Sequence, residues 1–366
     1  MEEGQYTDEF PEEIAREEAS QEESDDFSET PPSDIVAFNE LRSCADLVRM
    51  YKSKQLIIKP DFQRDVVWSK PSQTRFVDSL VKQLPIPSMC LSLDYKTNER
   101  LMIDGLQRIS SIINFLTDDN WRLSNLEDID QRISGKTIEF IKDKYDDIYS
   151  RLENLTIPVT VLRCDYSKKS HMHYLFTIFH RLNTGGNKLS NQEIRNCIFQ
   201  GSFNNLLKRA VLYGNFRHLL GLEDDKTYRF AYEEIILRFF AFEEKYESYN
   251  GKLAKFLNDY MDDNKSIDEA SLSRKRHLFE RTVDILFLKA FDGLQMPRLS
   301  KATTEGLMIG IARNLEGMEI LTPVQVKQKV SDLRQDELFS VDNLKEGLSG
   351  KDKVINRLRK AIEIFE

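Results

Sequence analysis

The chain has 366 residues, 40% hydrophobic and 31% charged, with a formal net charge of −9. That is a globular composition, and no apolar run approaches the roughly 20 residues of a membrane span, so no membrane partner is expected. The charge is uneven: residues 1–34 hold 14 Asp/Glu and one Arg, leaving residues 35–366 at +4, a mildly basic body behind an acidic tail.

The tail, residues 1–34, repels itself and has little to bury, so it is expected to be disordered and solubilising. Its sharper alternative is a nucleic-acid mimic seated in a basic groove. It lacks a basic-then-apolar leader, and cytoplasmic localisation is expected. Cys44, Cys90, Cys164 and Cys197 form no CxxC pair, which argues against a zinc ribbon and for reduced thiols. Cys90 and Cys164 lie in apolar, strand-like runs and read as core residues.

Taken in order, Ser33 or Asp34 can cap a short helix, and Ser43–Tyr51 reads as a second one. Gln55–Ile58 is a strand candidate. Ser69 caps the next helix, with Pro71 in its first turn and Phe76, Val77, Leu80, Val81 and Leu84 as its buried stripe. Met89–Tyr95 and Leu101–Ile103 form a hairpin. Residues 117–155 are polar and read as a partly helical insertion. Ile157–Leu162 is a further strand, His171–Leu182 a helix, and a new helix starts at Ser190. Beyond residue 200 the pattern is helical throughout. The expected architecture is α+β: residues 35–200 a small mixed-sheet domain, residues 201–366 an all-helical one.

Three segments suggest phosphate chemistry. The first is Gln63-Arg64 with Trp68, an arginine fork beside an aromatic ring. The second is Asp104-Gly105-Leu106-Gln107-Arg108, where an apolar strand turns sharply into a helix marked by Ile109, Ile112, Ile113 and Leu116. Glycine permits the turn, and unsatisfied first-turn amides favour an anion. The bland alternative has Asp104 capping the helix and Arg108 solvated. The third is Arg181-Leu182-Asn183-Thr184-Gly185-Gly186, whose adjacent glycines free backbone amides to wrap an anion, followed by Ser190–Asn196. Ser190 and Glu193 have capping-box spacing, so Glu193 reads as structural, while Arg195 could reach into a site. There is no P-loop, GxGxxG or GxSxG. His171 and His173 do not share a helix face, and a metal site there is discounted. His180 reads as a packing residue.

In this order the three segments resemble the GmrSD N-terminal-domain family, whose signature is DGQQR and which belongs to the ParB/sulfiredoxin-like superfamily. The resemblance covers roughly residues 40–260. Leu106 stands where the signature has glutamine. The resemblance implies a ParB-like core that binds, and in several members hydrolyses, nucleoside triphosphate with magnesium, in defence of bacteria against phage, including restriction of modified DNA. Carried over by position, Asp104 would orient a metal ion or water and Arg108 would clamp phosphate. Gly105, Gln107, Arg64, Arg181, Asn183, Thr184, Gly185, Gly186 and Arg195 would contact the nucleotide. The HNH-type nuclease domain of the full restriction enzymes has no counterpart here, so a separate effector protein, DNA and a second copy of the chain are the further partners considered. Two other functions stand beside this one: a DNA-binding regulator without hydrolysis, motivated by Arg274-Lys275-Arg276-His277 as a basic helix face, and a metal-dependent nuclease.

Overall fold

The computed structural model describes residues 31–58, 68–182, 189–222, 230–344 and 348–366. It is α+β: a five-stranded mixed sheet, then helices. Two compact units divide between Leu189 and Ser190, earlier than the boundary expected after residue 200.

The first unit runs β1 (Val36–Ser43), α1 (Cys44–Lys52), β2 (Leu56–Ile57), α2 (Lys70–Val81), β3 (Met89–Asp94), β4 (Arg100–Asp104), α3 (Leu106–Thr117), α4 (Ile138–Lys144), α5 (Asp146–Asn154), β5 (Thr156–Cys164) and α6 (Lys169–Leu182). The sheet order is β1-β5-β3-β4-β2. The β1/β5 and β3/β4 pairs are antiparallel, and β5/β3 and β4/β2 are parallel.

Where a helix capped by Ser33 or Asp34 was expected, the chain forms β1. This edge strand is exposed along most of its length, so it needs no apolar alternation, which is why its sequence does not announce a strand. Ser43 ends it by capping α1, its hydroxyl accepting from the Asp46 amide at 3.1 Å. Ser69 and Pro71 start α2 as expected. Leu84, expected in the buried stripe of α2, lies beyond the helix end and is 49% exposed.

The main core lies on one sheet face. Ile157, Val159 and Val161 of β5 meet Leu47, Val77, Leu80, Ile109 and Ile112 there. Residues 117–155 are not an insertion outside this core: Leu123, Ile129, Ile133, Ile138, Ile141, Ile148 and Leu152 are buried in it. On the opposite face Ser92, Leu162 and Cys164 are buried, and α6 packs against β4.

The second unit is helical: α7 (Asn191–Ile198), α8 (Ser202–Val211), α9 (Gly214–Leu220), α10 (Ala231–Lys245), α11 (Leu253–Asn264), α12 (Glu269–Asp284), α13 (Lys301–Arg313), α14 (Leu315–Ile320), α15 (Pro323–Gln335), α16 (Val341–Leu344) and α17 (Lys351–Phe365), with a π-helical turn, Ile285–Ala290, continuing α12. Phe203, Phe239, Phe240 and Phe279 pack at its centre with ring centroids 5.1 to 6.2 Å apart. α13 and α17 come close at Gly310, where a Cβ would stand 2.4 Å from the Phe365 ring.

Candidate functional site

The Asp104–Arg108 turn sits where β4 hands over to α3. Cys90 pairs with Asp104 but Leu91 pairs with Met102, so Ile103 is an extra residue in β4, a bulge that re-aims the strand end. Gly105 follows at φ 100°, ψ 16°, a left-handed conformation that side chains resist. A Cβ there would also stand 2.6 Å from Met89 Cγ. Gly105 is the N-cap residue of α3 and offers its first-turn amides no side-chain acceptor.

The bland alternative for this turn does not describe the protein. Asp104 does not cap α3, and Arg108 is not solvated, its side chain being 13% exposed. One guanidinium nitrogen of Arg108 donates to Asp104 Oδ2 at 2.7 Å, and another donates to the carbonyls of Pro87 and Ser88. Arg108 therefore ties the entry of β3 to the start of α3, and its charge is matched by a carboxylate 38% exposed. Gln107 Oε1 accepts from the Trp68 amide at 3.4 Å, and Gln73 Nε2 donates to the Trp68 carbonyl at 3.1 Å. The Trp68 ring meets Phe76 edge-on at 5.5 Å. The first and second motifs thus join at Trp68 and Gln107. Burial, reinforced by the Asp104 charge, pushes the Cys90 thiol up to about 12, so it stays neutral and is no nucleophile.

Arg64 lies outside the described residues, as do Asn183, Thr184, Gly185 and Gly186. Arg181 is exposed in the last turn of α6. Arg195 is corrected by its burial: its side chain is 2% exposed inside the helical unit. There its guanidinium donates to Asn258 at 2.9 Å, to Gln192 at 3.3 Å and to Glu234 at 3.0 Å. It is a core residue there because α7 is buried on every side, a feature its polar sequence conceals. Glu193 and Ser190 form the expected capping box. Lys275 also departs from expectation. It is 8% exposed, with its ammonium on Tyr260 Oη at 2.6 Å and on Glu244, so Arg274–His277 is not a continuous basic face.

Two arrangements escaped the sequence reading. Asp34 receives Lys168 Nζ and stands 2.8 Å from His171 Nε2, while His171 Nδ1 accepts the Asp165 amide at 2.9 Å. Lys168, then His171, hold the Asp34 carboxyl down to about 2. On the open part of the second sheet face, Ser88 Oγ, Thr160 Oγ1 and Asn39 Oδ1 form a hydrogen-bonded file at 3.1 and 2.9 Å. Only their separation in sequence hid it. Among the described residues no three His, Cys, Asp or Glu side chains gather to hold a metal ion, and no helix is long and apolar enough to cross a membrane.

A mixed-sheet domain whose central hairpin ends in an Asp-Gly turn, with an arginine folded back on the aspartate, is the class that this geometry defines. Residues 44–200 match the family described as GmrSD restriction endonuclease, N-terminal domain, a restriction-type association. No curated protein and no solved structure matches the chain.

Proposed function

We propose that this protein is a nucleotide-binding, NTP-hydrolysing component of a restriction-type defence system that works with a separate effector, and that the Asp104–Arg108 turn receives the phosphates. The observation that supports this most is the pairing of an N-terminus without a side-chain cap on α3 with an arginine already held in place by two carbonyls. Amides and helix dipole attract an anion there, and Arg108 adds a fork of donors at low reorganisation cost.

An incoming phosphate competes with Asp104 for Arg108. With the guanidinium kept in place by the Pro87 and Ser88 carbonyls, the displaced Asp104 carboxylate would be free to orient water or to help hold a magnesium ion. A single carboxylate fits that role, since magnesium keeps most of its shell from phosphates and water. The ion would neutralise phosphate charge.

The test is thermal stability with each of the four ribonucleoside triphosphates, with and without magnesium. Ligand binding to the native state raises apparent stability. The expected result is a shift with at least one nucleotide, lost in Asp104→Ala and Arg108→Ala. Full binding and turnover in both variants overturns the reading. The DNA-binding alternative loses part of its motive with the burial of Lys275. Steeply salt-dependent DNA binding, indifferent to nucleotide, would restore it.

A further inference from the structure

We infer that the file Ser88–Thr160–Asn39, with Leu41 and Pro158 beside it, is the subsite for the nucleoside end of the triphosphate. The inference rests on the phosphate reading of the Asp104–Arg108 turn and extends it along the sheet. These residues, with Glu40, line a cavity of about 320 Å³.

Its position follows from register. Asn39 pairs with Thr160, Thr160 with Cys90, and Cys90 with Asp104, so these four residues lie in one row across β1, β5, β3 and β4. Three strand spacings separate Asp104 from Asn39, about 14 Å, which suits an extended nucleoside triphosphate. Strand directions bring the end of β1, the starts of β5 and β3 and the end of β4 to the same edge of the sheet. Arg108 bridges the two halves, since it donates to Asp104 and also to the Ser88 carbonyl.

The lining suits a nucleoside better than another phosphate. Leu41 is 70% exposed beside this polar file and buries nothing in the core, so it offers a face for a base to cover. Thr160 donates to Asn39 Oδ1, and the Asn39 amide nitrogen has two N–H donors that a base edge or a sugar hydroxyl could accept. The Glu40 carboxylate is matched by Arg42, which donates to each of its oxygens at 2.8 Å, so Glu40 brings no net charge to this end. The chain thus separates an anion-attracting end from a neutral, half-apolar end.

The experiment compares binding of inorganic tripolyphosphate with the four ribonucleoside triphosphates, using the full chain and the variants Asn39→Ala, Thr160→Val and Leu41→Ser. Asn39 and Leu41 are exposed, so two of the three variants leave the core intact. At least one nucleotide should bind more tightly than tripolyphosphate. Asn39→Ala and Thr160→Val together should weaken that nucleotide about tenfold, the worth of one or two hydrogen bonds, and leave tripolyphosphate affinity unchanged. If the variants weaken neither ligand while both bind, the subsite is wrong and the phosphate site stands. If neither ligand binds the unmodified chain, the phosphate reading fails and this inference fails with it. Equal loss for both ligands also overturns the subsite.

Discussion

At Gly105 two independent constraints meet. Its left-handed backbone disfavours any side chain, and the space a Cβ would need is filled by Met89. Gly105→Ala should therefore destabilise the sheet unit by about 2–4 kcal/mol, the strain of the backbone plus the displaced methionine, read as a lower urea midpoint. Met89→Ala carries its own cavity cost, Met89 being buried in the core, so the steric part should appear as the coupling energy of a double-mutant cycle with Gly105→Ala. Arg108 is the complementary case: its guanidinium joins α3 to two carbonyls ahead of β3. Arg108→Lys keeps the charge but not the fork, and should cost about 1–2 kcal/mol in urea titration through the carbonyls left unserved. A variant as stable as the parent would mean that the fork positions nothing. Both residues were legible in the sequence as a turn. That Asp104 and Arg108 pair with each other was not, because spacing of four on paper does not say whether a carboxylate faces its own helix or a ligand.

Elements show where reading from sequence stops. The hairpin of β3 and β4, the Ser69-Pro71 start of α2 and the Ser190–Glu193 capping box are local chemistry, and local chemistry is legible. β1 is not, because an exposed edge strand is free of the alternation that marks burial. Arg195 is not, because a buried charge is defined by partners far away in sequence. Burial pushes the Glu234 carboxyl up, but Arg195, Lys301 and Arg238 outweigh it and hold it below its ordinary value. Arg195→Met should then cost about 3–5 kcal/mol by leaving Glu234 buried without its main partner, while Arg195→Met with Glu234→Leu should cost less; a double-mutant cycle in denaturant checks this. Asp34 is a clamp of a different kind, exposed and dependent on pH. Its carboxyl titrates at about 2 in the fold against an ordinary 3.8. The stabilisation is complete above the unfolded value and fades as pH falls toward the folded one. The gap in urea midpoint between the parent and Asp34→Asn should be flat from pH 5 to 7 and close as pH approaches 2. A constant gap down to pH 2 would show that Lys168 and His171 do not hold the carboxylate in solution.

For the whole molecule, the division between Leu189 and Ser190 means that each unit has its own core and its own buried groups. All four cysteines are buried thiols outside any disulfide. Cys44, Cys90 and Cys164 lie in the sheet unit, and Cys197 lies in the helical one. Burial pushes the first three thiols up to about 12, so none of these three reacts while its unit stays closed. Alkylation of the native protein becomes a clock for opening. Mass spectrometry of partly labelled chains should show Cys44, Cys90 and Cys164 modified together and Cys197 on a separate schedule. Adding the right nucleotide should slow the first schedule more than the second. The protein thus contains, without added dyes or tags, a built-in readout of which half a ligand steadies.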